Sequence, residues 1–134
     1  MELEEQEDVI FKLNIALDFK QVYKDPDLSL TKLASILGVH YGTLSKIIKN
    51  KYGVGFRKFL NEVRIKKLIG EIQFESTRPK VEQCMVMSGF RSRITFFNAF
   101  RSQTGISLSA YYKSHFQSKN LKIIIFDSVD QEGK

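Results

Sequence analysis

Residues 89–105, GFRSRITFFNAFRSQTG, combine three arginines with four phenylalanines. If a helix begins near Arg93, Phe96 and Phe100 lie four residues apart on one face, which is the spacing of a core stripe. Phe97 falls about 100° away, on the side that carries Arg93 and several polar residues. Arginine binds guanine edges or phosphate, and an apolar side chain can contact the methyl group of thymine. This mixture is typical of a nucleic-acid-binding surface.

The positive charge of the chain is concentrated in its middle. Residues 29–113 contain fifteen basic and four acidic side chains, whereas residues 1–28 contain eight acidic and three basic ones. A basic section with interleaved aromatic residues favours binding to a polyanion. The alternative is a solvated, lysine-rich surface without a partner.

Other functional classes find little support in the sequence. The two histidines, His40 and His115, have no acid or cysteine at metal-ligand spacing, and the common phosphate-loop, hydrolase and zinc-protease motifs are missing. Cys84 lies in the apolar run VEQCMVM, which predicts a buried, reduced thiol. We therefore expect no enzyme, no cofactor and no metal site. The acidic N-terminus and the lack of a long apolar run favour the cytoplasm.

The pattern of apolar residues, caps and breakers predicts an all-α fold. Ser29 and Ser107 are expected to cap helices, Gly38 and Gly53 to end them, and the DPD at 25–27 to stop the first one. The seven predicted helices are 4–23, 30–37, 41–52, 56–73, 81–88, 93–103 and 108–117.

The sequence contains an internal repeat. Residues 29–39 align with residues 80–90 at an offset of 51, and after one inserted residue the alignment continues at an offset of 52 to Gly105. Each copy is a short helix, a turn opened by glycine and a second helix with apolar residues four apart. This is the helix-turn-helix pattern. A helical hairpin without DNA-binding activity would explain one copy, but two matching copies in the basic section favour DNA binding.

The helix between the two copies has two apolar faces. Phe56, Phe59, Leu60 and Val63 cluster on one side of its first half, whereas Ile65, Leu68, Ile69 and Ile72 cluster nearly opposite in its second half. A helix needs such a switch when its halves pack on different modules. Its length of about 27 Å, added to the radii of the modules, can place two recognition helices about one DNA turn apart.

From Leu28 to Lys113 the chain resembles the AraC/XylS-type DNA-binding domain, in which a long helix joins two helix-turn-helix modules. The second module carries the signature most closely, in SGFRSRITFFNAFRSQTGISLSAYY, where GF, TF(F)xxF, TG and S-x-x-Y stand in the expected register. LTKLASILGV, LSKIIKNKYG and FLNEVRIKK are the matching pieces of the first module. Lys80 departs from the usual Ser or Thr cap, and Gly42 from a bulkier DNA-contacting residue.

The resemblance implies a bacterial, cytoplasmic regulator whose parent protein is soluble or membrane-anchored, with double-stranded DNA as the partner at two adjacent major-groove segments. It also implies RNA polymerase and an N-terminal sensor as further candidate partners. The predicted organisation is a lead-in helix at 1–28, the first module at 29–55, the linker helix and loop at 56–79, the second module with a final helix at 80–118, and a tail at 119–134.

The candidate site residues lie on the two recognition helices and at their ends. Side chains directed away from the core are predicted to meet base edges, and those further along each helix or before it are predicted to meet phosphates. The predicted base contacts are Gly42, Ser45, Lys46, Arg93, Ile94, Phe97 and Asn98. The predicted phosphate contacts are Tyr41, Lys49, Lys51, Arg91, Ser92 and Arg101. Solvent-exposed basic residues, and a Phe97 packed beneath the last helix around Tyr111 or Tyr112, are the alternatives.

The first helix carries two apolar stripes. Ile10, Leu13 and Leu17 are predicted to pack on the first module, whereas Phe11, Ile15, Phe19 and Val22 form a second stripe. One small neighbour cannot bury both. The second stripe is predicted to meet a sensor portion, a second copy of the chain or the LKIIIF tail. A helical protein-interaction module without specific DNA binding is therefore the alternative function.

Overall fold

The structure, a computed structural model, describes residues 2–116, and within them it is all-α, as predicted. The LKIIIF tail lies outside the described residues. The helices are α1 (Leu3–Asp18), α2 (Leu30–Leu37), α3 (Tyr41–Tyr52), α4 (Phe56–Ile72), α5 (Val81–Ser88), α6 (Arg93–Thr104) and α7 (108–116), with a 3-10 turn at Val22–Lys24. Within this part of the chain, no helix is long and apolar enough to cross a membrane.

The predicted first helix, 4–23, is too long. Helix α1 ends at Asp18, and Gln21 adopts a left-handed conformation with a φ of 53° before the 3-10 turn begins. The break brings Tyr23 into the core, where it is only 1% exposed. It also aims the Tyr23 carbonyl at the side chain of Arg64, whose Nε donates to it at 2.9 Å. Tertiary contacts therefore override a segment with no local helix breaker.

The two copies of the repeat fold alike. Helices α2 and α5 each have eight residues, and α3 and α6 each have twelve. Left-handed glycines end all four, at Gly38, Gly53, Gly89 and Gly105. Glycine adopts this conformation without the steric penalty of a Cβ atom. The predicted repeat and the ends of these helices are confirmed to within one residue.

The predicted caps also form. The hydroxyl oxygen of Ser29 accepts from the Lys32 N–H at 3.1 Å, and that of Ser107 accepts from the Ala110 N–H at 3.1 Å. Lys80 has no acceptor in its side chain. Instead, Oε1 of Gln83 accepts from the Lys80 N–H at 2.8 Å, so α5 is held by the reverse half of a capping box.

The linker helix α4 divides the core in two, as its apolar pattern predicts. Phe59 and Leu60 join a first core with α1, α2 and α3. Ile65, Leu68 and Ile72 join a second core with α5, α6 and α7. Each module therefore has its own core, and the shared helix α4 contributes side chains to both.

Candidate nucleic-acid interface

Helix α6 presents one apolar face to the second core and the opposite face to solvent. Phe96 and Phe100 are fully buried. Ser92 is the N-cap of this helix, and its hydroxyl oxygen accepts from the Thr95 N–H at 3.2 Å. The five residues predicted to face DNA on this helix are all exposed: Arg93, Ile94, Phe97, Asn98 and Arg101. Ile94 is 74% exposed, so the described residues leave most of this large apolar side chain uncovered.

Phe97 lies at the edge of this face. Its ring is 5.4 Å from that of Phe96 between centroids, yet the residue remains 40% exposed. Tyr111 on α7 packs against Phe100 instead, at 5.6 Å, and Tyr112 packs against Phe116, at 5.5 Å. One edge of the Phe97 ring therefore contacts the core at Phe96, and the other edge is exposed at the surface.

Two arginines of this surface make ion pairs that the sequence analysis did not predict. A guanidinium nitrogen of Arg93 lies 2.5 Å from a carboxylate oxygen of Glu82 on α5. Arg91, in the turn before α6, pairs with Asp27 in the segment before α2. All four side chains are exposed, and such pairs contribute little to stability in water. No short-range sequence signal reveals these two pairs.

The first recognition helix, α3, begins differently. Nδ1 of His40 accepts from the Gly42 N–H at 3.1 Å, so His40 is the N-cap. Its ring stacks on Tyr41 with 4.6 Å between centroids. A Cβ atom at residue 42 would lie 3.2 Å from Nδ1, in tight contact with this capping side chain. His40 was weighed from the sequence only as a metal ligand, and its capping role was not predicted.

The predicted contacts on α3 are not all equally accessible. Gly42 and Ser45 are half-buried, whereas Lys46 is exposed. Of the predicted phosphate contacts, Tyr41 is 53% exposed, and Lys49 and Lys51 in the last turn are also exposed. The exposed surface of α3 thus offers more positive charge and less variety of side chains than that of α6.

Metal-binding groups and the single cysteine are the features of the described residues that bear on catalysis. Among residues 2–116, no group of three or more His, Cys, Asp or Glu side chains could hold a metal ion. Cys84 is buried, as predicted, with its sulfur 3.0 Å from the hydroxyl oxygen of Tyr112. Burial raises the pKa of this thiol, which disfavours the reactive thiolate.

Comparisons with known proteins agree with this architecture. A family profile described as a helix-turn-helix domain matches residues 33–114. An uncharacterized HTH-type transcriptional regulator of Staphylococcus aureus strain MSSA476 is 30% identical over 93 residues, which make up 69% of this chain. The aligned region is 12% of that relative, so this chain spans only a small part of the length of the curated relatives that it matches.

Three solved structures share the fold. The C-terminal domain of AraT, a response regulator from Geobacillus stearothermophilus, superposes with a TM-score of 0.62 at 23% identity, covering 81% of this chain and 83% of that one. The C-terminal domain of the response regulator yesN from Fusobacterium nucleatum gives 0.60 at 24% identity, covering 76% and 94%. The DNA-binding domain of AdpA in complex with a target DNA gives 0.63 at 20% identity, covering 79% and 93%.

Proposed function

Because the chain belongs to the AraC-type helix-turn-helix family, we propose that it binds double-stranded DNA sequence-specifically, as the output domain of a transcriptional regulator. The observation that carries the proposal is the pair of twelve-residue helices, α3 and α6, that stand at equivalent positions in two modules on one shared helix. Each helix exposes basic and polar side chains opposite its core face. Two such helices in one frame suit two neighbouring segments of the major groove.

The second module is proposed to read more of the sequence than the first. On α6, Arg93 and Asn98 offer the hydrogen-bonding groups that distinguish guanine and adenine in the major groove. On α3, Gly42 has no side chain and Ser45 is half-buried, which leaves Lys46 as the main accessible group for base contacts. The first module is therefore proposed to contribute mostly affinity through phosphates.

Phe97 and Ile94 are proposed to supply apolar readout. Both are large apolar side chains on an otherwise polar, basic face, and both retain exposed surface. The C5-methyl group of thymine is the apolar group on the floor of the major groove. Contact between Phe97 and one thymine methyl would bury about one methyl group, worth about 0.8 kcal/mol. This contact explains why the segment from 89 to 105 mixes arginines with phenylalanines.

Selection of bound duplexes from a random pool, followed by binding measurements at several salt concentrations, tests the proposal. If six to ten phosphates are neutralised, affinity should fall by roughly 10³- to 10⁵-fold between 50 and 200 mM salt. Failure to enrich any motif, together with a flat salt response, would contradict DNA binding and favour the protein-interaction module.

Two alanine variants separate base reading from phosphate binding. Arg93→Ala should relax the preference at one or two base pairs, at a cost of about 1–3 kcal/mol on the preferred sequence. Lys49→Ala is the matched control, because it removes one exposed positive charge from the other recognition helix and should weaken all sequences alike. If Lys46→Ala relaxes the selected motif more than Arg93→Ala does, the ranking of the two modules is wrong.

The proposal also covers the activity, the cellular setting and the partners of the chain. Binding rather than catalysis is the proposed activity, and the proposed setting is the cytoplasm of a bacterium, as expected of a regulator in this family. A sensor portion of the parent protein is proposed as one partner of this chain. RNA polymerase is proposed as another. The curated relatives are much longer than this chain, which leaves room for a sensor in proteins of that kind.

A further inference from the structure

The junction between the two modules is built around a buried arginine. Arg64 lies on α4 between Val63, which packs on the first core, and Ile65, which belongs to the second. Its side chain is nearly inaccessible, with 3% exposure. Burial, and to a smaller extent the charge of Arg57, lowers the pKa of Arg64 to about 10, so the guanidinium stays charged at neutral pH. A buried charge is costly unless it is well hydrogen-bonded.

Arg64 obtains its hydrogen bonds from the turn that follows α1. Nε donates to the Tyr23 carbonyl at 2.9 Å, and a terminal nitrogen donates to the Asp25 carbonyl at 2.8 Å. The guanidinium carbon also lies 5.5 Å from the centre of the Phe90 ring, in the second core. One side chain thus connects the turn at residues 22–25, the linker helix and the second module.

The same turn packs directly on the second module. Gly89, between α5 and α6, approaches it so closely that a Cβ atom there would lie 2.1 Å from the Tyr23 carbonyl oxygen and 2.8 Å from the Cα of Lys24. The equivalent glycine of the first module, Gly38, has nothing within 4 Å of such an atom. The close approach is therefore a property of this junction and is not required by the helix-turn-helix motif.

Three ion pairs involve the turn or the residues just after it. Lys24 lies 3.5 Å from Glu71 on the linker helix, Asp25 lies 2.5 Å from Lys32 of the first module, and Asp27, two residues after the turn, pairs with Arg91 of the second module. Each exposed pair is weak. Together with the hydrogen bonds of Arg64, they link this segment to the linker helix and to both modules.

We propose that Arg64 and the turn at residues 22–25 form a joint that fixes the separation of α3 and α6, and that this joint selects the spacing between the two DNA segments. The inference rests on the proposed function. Arg64 is a positioning residue in this account, because it touches the turn and Phe90 rather than DNA. Simultaneous binding by linked modules depends on how well their geometry matches the span between their sites. A joint that holds the two modules at one separation therefore makes the protein prefer DNA sites whose two segments have one spacing.

The test measures the affinity of the protein for a set of duplexes in which the two selected segments are separated by about 8–12 bp, a range centred on one DNA turn. The affinity for duplexes that carry only one segment is measured for comparison. Arg64→Met removes both hydrogen bonds but keeps an apolar stem of similar length. Arg64→Lys keeps the charge but lacks the planar fork that reaches two carbonyls. Lys66→Met is the matched control, because it removes one positive charge from an exposed position on the same helix.

Wild type and Lys66→Met should prefer one spacing, with a two-segment site bound about 10²- to 10⁴-fold more tightly than a single segment. Both Arg64 variants should bind the single segment with nearly the affinity of the control, lose about tenfold or more of that advantage, and show a flatter spacing profile. An unchanged profile in a folded Arg64 variant would overturn the joint. So would loss of the helical circular-dichroism signal in both variants, since it would make Arg64 a residue required for folding. Absence of DNA binding by the wild type would instead refute the proposed function.

Discussion

Replacing Gly89 with alanine is predicted to destabilise the protein far more than the same change at Gly38. The two residues are equivalent in the repeat, and both have a left-handed backbone, with φ of 87° and 70°. Each alanine should cost about 1–2 kcal/mol for adopting this conformation. Only at Gly89 does the added Cβ atom also meet backbone atoms of Tyr23 and Lys24, at 2.1 and 2.8 Å.

The additional cost at Gly89 follows from what must move. The turn can make room only by shifting its backbone, which pulls the Tyr23 carbonyl away from Nε of Arg64. A hydrogen bond to a charged group is worth about 1.5–3 kcal/mol. The expected loss is therefore about 2.5–5 kcal/mol for Gly89→Ala and about 1–2 kcal/mol for Gly38→Ala.

Urea denaturation followed by far-ultraviolet circular dichroism measures both losses, because helix content reports on the whole fold. The comparison requires equal slopes of unfolding free energy against urea, so that both variants share the same unfolded reference. Losses that agree within about 0.5 kcal/mol, the usual spread for changes without a special contact, would refute the claim that the turn is packed tightly against Gly89.

Three further predictions concern the surface. Substituting uracil for each thymine of the selected site in turn should weaken wild-type binding about fourfold at one position, as expected for about 0.8 kcal/mol, and leave a folded Phe97→Ala variant unaffected there. Equal losses in both proteins would contradict the methyl contact. Glu82→Gln should strengthen DNA binding, because it releases Arg93 from its ion pair. The expected gain in affinity is about two- to fivefold, since an exposed pair is worth up to about 1 kcal/mol. Unchanged affinity in a gel-shift titration would show that the pair does not compete with DNA. In analytical ultracentrifugation, a Phe11→Ser, Phe19→Ser double variant should have a lower mass than the wild type if these exposed side chains form a self-association surface. A monomeric wild type would leave a sensor portion or the LKIIIF tail as their partner.

Local signals predicted most of the fold. Serines at 29 and 107 cap helices, and glycines end them, because capping depends on residues within four positions of each other. The switch of the apolar face along α4 correctly predicted two cores, since helical periodicity records which side is buried. The exposed faces of the recognition helices follow from the same periodicity, as the burial of Phe96 and Phe100 confirms.

Local sequence patterns did not predict the long-range contacts. The segment after the early end of α1 is held by Arg64, which is 41 residues from its acceptor at Tyr23. The ion pair between Arg93 and Glu82 joins residues on two different helices. The cap at His40 was also missed, although it is a local feature. A side chain that can accept a hydrogen bond just before a helix is a local signal. Which bases each candidate residue contacts stays a prediction, since the partner's sequence is not encoded in the spacing of these residues.

Both recognition helices are proposed to engage one duplex at the same time. Hydroxyl-radical footprinting on a selected site tests it most directly, because this reagent maps protection at single-nucleotide resolution. We predict two protected segments about 10 bp apart on one face of the DNA, since that is the separation of successive major grooves. A single short protected patch, unchanged when the second segment is scrambled, would contradict it.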